Sequence, residues 1–393
     1  MNDNDIVIIG GARTAMGGMN GSLAAVSATK LGSVAIKAAI DRSGLNADDI
    51  EDVIMGCVLP GGLGQGPARQ ASIGAGVPTS AGCTTINKLC GSGMQAFIMA
   101  HDQIKAGTNS VMIAGGMESM TNAPHILKGA RQGFRLGGAN LLDHMFADGL
   151  EDAYTGRAMG TFAQETADER GITREQMDAF AISSLAKANA AIENGWLKDE
   201  ICPVTVTGRK GDTVVDTDEQ PLTARPDKIP GLRPAFAKDG TITAANSSSI
   251  SDGASALVLT TAGEAARRGL SPIARVLGHA RHSQNPELFT TAPVGAMNKL
   301  FAKINMTAAD FDLYEINEAF AMVTMMAMTD LGLDESTVNV HGGACAVGHP
   351  IGSSGSRIIV SLMYALKRLG KRRGIASLCI GGGEGTAVAI EML

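Results

Sequence analysis

Two stretches far apart in the chain follow one plan, and a chain that repeats a strand–helix–strand plan is constrained to fold as two similar halves. Gly91-Ser92-Gly93 opens a segment of helical periodicity that leads to the apolar run 111–115, which ends in Gly115-Gly116-Met117-Glu118. Ser354-Gly355 opens a second such segment, leading to the run 375–380 and then Gly381-Gly382-Gly383-Glu384. Further short apolar runs at 6–9, 52–58, 256–260, 273–278, 312–316, 338–340 and 386–391 predict strands, and apolar residues at helical spacing predict helices over 29–42, 91–106, 296–304, 318–331 and 353–369. Such alternation predicts an α/β fold built in layers. Between the halves, 122–244 is more charged, carries the only tryptophan (Trp196), has turn clusters at 208–212 and 225–240, and reads as an insertion over the core. Within it, Thr173 and Gln176 form a capping box that starts a helix over 173–194.

Composition excludes several classes. A net charge of −6 argues against nucleic acid, which calls for a basic face. No run of 18 apolar residues marks a membrane span. The acidic start Met1-Asn2-Asp3-Asn4-Asp5 lacks the features of a signal or transit peptide. Six cysteines without framework spacing fit a reducing, cytoplasmic setting. Gly10-Gly11-Ala12-Arg13-Thr14 lacks the glycine pattern of a dinucleotide-binding turn.

Three residues carry candidate chemistry. Cys90 follows a strand-like run (84–89) where a helix begins, and Gly91 and Gly93 permit a sharp turn there. A helix N-terminus favours a thiolate and offers free N–H groups to an oxyanion, although a buried core cysteine remains an open reading. His349 precedes Pro350, which holds it out of helix, and its pKa is expected near working pH, as a base requires. Cys379 ends an apolar strand beside the triple glycine, where α/β sheets place their sites. Asn317, in Asn317-Glu318-Ala319-Phe320, either orients a water or an oxyanion or caps a helix starting at Glu318. His341, Cys345 and His349 are spaced by four, but the intervening glycines argue against one helical face, and no metal site is expected.

In this order, Gly11-Ala12-Arg13-Thr14, Asn87-Lys88-Leu89-Cys90-Gly91-Ser92-Gly93, Gly115-Gly116-Met117-Glu118-Ser119-Met120, Leu232-Arg233-Pro234-Ala235-Phe236, Asn317–Phe320, Gly348-His349-Pro350 and Cys379–Gly383 resemble the thiolase family over nearly the whole chain. The resemblance implies a five-layer αβαβα core of two duplicated halves with an inserted loop domain. The halves would be 1–121 plus 245–271 and 272–393, and the insertion 122–244. It implies acyl transfer on coenzyme A thioesters, with coenzyme A as substrate and product and no permanently bound cofactor. The expected reaction is reversible Claisen condensation of two acetyl-CoA, ping-pong through an acyl-Cys90 intermediate. The alternative is a broader-chain 3-ketoacyl-CoA thiolase of fatty-acid β-oxidation.

By position, Cys90 would be acylated, His349 would activate it, and Cys379 would serve as acid and base. Asn317 would hold a water, and backbone N–H groups of Cys90 and Gly381 would bind the acyl oxygen. Coenzyme A would lie along the loop at Ser248, with Met159, Phe236, Ala319 and Phe320 lining its channel. Phe289 lies in the segment set against the acyl group and is expected to favour short chains, with a 2-methyl branch admissible. A homotetramer is implied, with 123–145 as a protruding loop, and neither a nucleic-acid nor a membrane partner. Some positions depart from the family pattern: His341 for Asn, Glu384 for an uncharged residue, Ala158 for His, and Asn246-Ser247-Ser248-Ser249 for Asn-Ala-Ser-Gly. His341 would add a titratable group near the site. Glu384 would raise the Cys379 pKa or pair with a basic neighbour. A decarboxylating ketoacyl synthase is disfavoured by the second cysteine, and a non-catalytic lipid-binding relative by the intact Cys90, His349 and Cys379.

Overall fold

The computed structural model describes residues 1–393. Five strands of the first half, β1 (Ile6–Thr14), β2 (Asp52–Gly56), β3 (Gly82–Ile86), β4 (Val111–Ser119) and β5 (Ser251–Thr261), lie in the order β1-β5-β4-β2-β3. The first two pairings are antiparallel and the last two parallel. In the second half, β6 (Ala274–Ser283), β7 (Leu313–Ile316), β8 (Arg373–Ile380) and β9 (Glu384–Met392) lie in the order β6-β9-β8-β7, antiparallel, antiparallel, parallel. A parallel bridge from Tyr314 to Val338 stands where the fifth strand would be. The expected strand 338–340 is thus a single bridge, because Asn339 turns to a positive φ of 47°. Its side chain instead folds back on the Ile316 backbone. Short antiparallel pairing of Val7 with Arg275 and Ile8 with Ala274 joins the two halves edge to edge.

Alternation along the strands builds the layers. Val7 and Ile9 face out under α1 (Ala28–Ser43) and α2 (Pro67–Gly74). Ile6 and Ile8 face inward, to a layer made by α3 (Ser92–Lys105) and α8 (Ser354–Leu369), where Phe97, Ile358 and Leu378 pack. α6 (Ala292–Ile304) and α7 (Ala321–Leu331) close the far side over Ile316, Ile375 and Ala387. The thiolase-like succession αβαβα follows from that alternation. In the middle layer the two helix heads meet. A Cβ at Gly93 would lie 2.6 Å from Ser356 Oγ, and one at Gly355 would lie 2.4 Å from Met94 N. Glycine at both positions therefore lets both helix N-termini converge.

The stretch 122–244 contributes α4 (Met159–Glu169) and α5 (Arg174–Glu193), the latter started by the expected Thr173–Gln176 box. It is tied to the core by Arg13, whose guanidinium meets Glu200 at 2.6 Å and Asp218 at 2.7 and 2.8 Å. Burial alone would lower the Arg13 pKa, but the two carboxylates outweigh it and hold the cation. Losing one partner of such a buried pair typically costs about 3–5 kcal/mol. The helix expected over 318–331 starts only at Ala321. No helix is long and apolar enough to cross a membrane.

Candidate active site

The converging heads of α3 and α8 open into one cleft of about 640 Å³. Cys90 sits on its floor, two residues ahead of α3. The turn that presents it depends on Leu89, which takes a positive φ of 48°. Gly91, expected to supply the sharp turn, is needed for space: a Cβ there would lie 2.3 Å from Ile380 Cδ1. Ser92 Oγ accepts from Lys88 N and donates to Leu89 O, closing the loop. Burial pushes the Cys90 thiol up to about 11, against the pull of the N–H groups of Gly381 and of Cys90 itself. The expected thiolate-favouring helix terminus is therefore overridden by the enclosing walls, and the resting group is a thiol.

His349 also lines the cleft. Ser354 Oγ donates to Pro350 O at 3.0 Å, so it accepts the Nδ1–H of His349 at 2.5 Å. That fixes the tautomer: Nε2 is buried, has no protein partner, and carries the lone pair. Burial, with the Arg357 charge adding to it, drives the imidazole down to about 3, where working pH had been expected. It is a neutral base. Ser354 went unassigned in the sequence; only its position five residues after the histidine could have signalled it.

Cys379 lies behind the cleft wall, fully buried. Burial, and then the charge of Cys90, raise its thiol well above the usual range, so the two sulfurs sense each other. Asn317 is also buried behind the wall. Its Oδ1 accepts from Arg357 Nη2 at 3.4 Å and its Nδ2 has no protein partner. It does not cap α7, whose first residue lies four positions on. Gly381, Met159, Phe236, Ser248, Phe289, Ala319 and Phe320 all line the cleft. Ser248 N donates to Ala319 O at 3.0 Å, and Phe320 packs edge-on to Phe236 and Phe289 at 6.0 and 6.4 Å.

The departures from the expected pattern resolve as follows. His341 does not line the cleft; its Nε2 accepts from Arg368 Nε at 2.9 Å beside Trp196. Burial, then Arg368 and Arg13, lower it to about 4. Glu384 pairs with Lys88 and so spans the Cys90 loop and the triple-glycine turn, rather than acting on Cys379. His341, Cys345 and His349 engage separate partners. Two buried glutamates also went unread. Glu118 accepts from the N–H groups of Val58, Leu59 and Gly352, fastening one half to the loop after His349. Glu318 accepts from Ser184, Asn339 and Cys345 N.

Residues 6–263 match the family model described as thiolase, N-terminal domain, and residues 270–392 that described as thiolase, C-terminal domain. An acetyl-CoA acetyltransferase of Cupriavidus necator is 48% identical over 391 residues, covering 98% of this chain and 99% of that protein. One of Shinella zoogloeoides is 46% identical, with 98% and 99% covered. The crystal structure of Acat5 thiolase from Ascaris suum in complex with coenzyme A superposes with a TM-score of 0.94 at 42% identity, covering 99% of this chain and 100% of that one. With both halves matched end to end and the Cys90 sulfur and His349 imidazole in one cleft, the chain belongs to the thiolase family.

Proposed function

We propose that this chain is an acetyl-CoA C-acetyltransferase, joining two acetyl-CoA into acetoacetyl-CoA and CoA and running the reverse thiolysis. The observation that carries it is that Cys90, near the N–H groups of Gly381 and of Cys90 itself, shares one cleft with His349, whose buried Nε2 is free of protein partners. The Cys90 sulfur attacks the thioester carbonyl as its proton passes to His349 Nε2, and the Cys379 thiol protonates the departing CoA sulfur. N–H groups of Cys90 and Gly381 take the charge on the carbonyl oxygen. The Cys379 thiolate then removes a C2 proton from the second acetyl-CoA, whose carbanion attacks the acetyl group. Cys90 leaves and recovers its proton from His349. Asn317, through a water, and His349 support the enolate oxygen.

Coenzyme A as substrate and product is supported by the coenzyme A complex of the Ascaris suum thiolase. We assign 122–244 as the inserted loop domain, with 1–121 plus 245–271 and 272–393 as the core halves, in a cytoplasmic homotetramer without a resident cofactor. Exposure of Leu127, Phe134, Leu136 and Leu141 on the 123–145 loop supports that assembly. Phe289, buried against Phe320, supports acetoacetyl-CoA over longer 3-ketoacyl-CoAs, with a 2-methyl branch admitted. Cys90→Ser abolishes turnover, and peptide mapping after acetyl-CoA treatment finds acetyl on Cys90 of the wild type; stable acetyl on another residue refutes the assignment. Cleavage of 3-ketodecanoyl-CoA as efficiently as acetoacetyl-CoA would instead establish a broad β-oxidation thiolase.

A further inference from the structure

Away from the cleft, α3 and β6 bring three ligand-type side chains to one point. His101 Nδ1 and His279 Nε2 each stand 2.9 Å from the same oxygen, Asp102 Oδ1. The rings meet edge-on with centroids 4.9 Å apart, and the three ligand atoms lie within 4.8 Å of one another. Bonds of about 2.0–2.2 Å place the ligands of a tetrahedral ion about 3.5 Å apart, so the cluster needs only small adjustments to hold one. We propose that His101, Asp102 and His279 form a site for a divalent transition ion of the zinc class, remote from the acyl-transfer chemistry.

The donor set of two imidazoles and one carboxylate suits Zn²⁺, Co²⁺ or Ni²⁺ and not the oxygen-seeking Mg²⁺ or Ca²⁺. Asp102 is open to solvent, which gives the ion an entry path and room for a water as fourth ligand. Two cations face the cluster. Lys303 Nζ is committed to His279 O at 3.0 Å and Lys105 Nζ to Asn4 O at 2.7 Å; neither occupies Asp102, but both hold the affinity to a moderate level. His101 and Asp102 ride on the helix that follows Cys90, and His279 on the strand of the other half. A bound ion therefore cross-links the halves, and it stabilises the fold without entering the reaction.

Metal-free enzyme is dialysed against ZnCl₂ and the retained zinc counted, with thermal unfolding followed in parallel, for wild type, His101→Asn, His279→Gln and Asp102→Asn. Active-site thiols also take up zinc, so the difference between wild type and variants is the readout. Wild type is expected to retain one more equivalent per chain than each variant, with affinity at that site at least about tenfold higher, as loss of a supporting ligand group implies. Zinc is expected to raise the wild-type Tm and not the variants'. Thiolysis of acetoacetyl-CoA by the variants certifies their fold, and Asp102→Asn, a change at an exposed position, keeps the test alive if a histidine variant fails to fold. Equal zinc uptake and equal Tm response in wild type and folded variants overturns the site, whatever the outcome of the acyl-transfer experiments.

Discussion

The head of α3 reads Cys90-Gly91-Ser92-Gly93 and the head of α8 reads Gly352-Ser353-Ser354-Gly355. Each has a serine at the helix start whose hydroxyl closes the loop behind it, and a glycine next to it where the other helix presses in. What differs is the load. The first head presents a sulfur, and the second has glycine in that place and uses its serine to orient an imidazole. The strands that follow diverge too. Near the end of β4 the carboxylate, Glu118, is buried and fastens backbone; after β8 the corresponding Glu384 is half-open and paired with Lys88, while Cys379 supplies the second thiol. A duplicated frame thus keeps the geometry of convergence constant and leaves each arm free to specialise. Neither half alone holds both the Cys90 sulfur and the His349 imidazole.

The division of labour breaks most visibly at Cys379. Cys379→Ala is expected still to acetylate Cys90, with CoA leaving as its own thiolate, yet to lose condensation by about 10²–10⁴-fold, the usual worth of a positioned acid–base group. Half-reactions measured separately decide it, and an equal loss in both would remove the asymmetry. The two glutamates give the next largest contrast. Glu118→Ala strands three buried N–H groups at about 1–3 kcal/mol each, so a loss of 3 kcal/mol or more is expected from chemical denaturation. Glu384→Ala breaks a partly exposed ion pair and should cost under about 1 kcal/mol. Similar losses would mean that the second glutamate also holds the frame.

Ser354→Ala tests whether the second head serves chemistry. It should lower kcat about tenfold, the effect of one hydrogen bond of about 1.4 kcal/mol, with KM little changed. A fall in stability without a change in kcat would make the serine a loop-closer only, like Ser92. An effect confined to acid belongs to His341. Its folded pKa, near 4, lies below the unfolded value of about 6.5, so the unfolded chain binds its proton first as pH falls. The buried imidazole costs nothing above pH 6.5 and erodes stability by up to about 1.4 kcal/mol per pH unit between those values. His341→Asn should flatten the decline of Tm with acid over that window, and an unchanged slope would show that the group does not titrate on unfolding.

The α/β layering and the helix at Thr173 were legible because each leaves a local mark: periodicity and a capping box. The meeting of Cys90 and His349 in one cleft was legible through their glycine-flanked motifs. Their protonation was not, since it depends on burial, and burial is made by residues distant in the chain, such as Ile380 against the turn at Gly91. The strand at 338–340 failed for a related reason: its apolar pattern is real, but Asn339 bends back to Ile316 and a single bridge remains. Glu118 and Glu318 carry no local mark of burial, yet both lie fully buried, Glu118 under three backbone N–H groups and Glu318 under the Ser184 hydroxyl, the Asn339 amide and the Cys345 N–H.

Strand β5 lies between β1 and β4, pairing Ala256 with both Ala12 and Gly115, and the whole insertion is spelled out between β4 and β5. A ribosome adding about 5–20 residues per second therefore needs roughly 7–26 s to pass from Ser119 to Ser251. Throughout that interval β1 and β4 carry hydrogen-bonding edges that have no partner yet made, in a nascent segment that is apolar on both faces. The first half of the enzyme is thus completed late, by a strand threaded between two that have long been waiting. Chains cut short inside the insertion should be substrates for chaperones or seeds for aggregates rather than smaller folded domains.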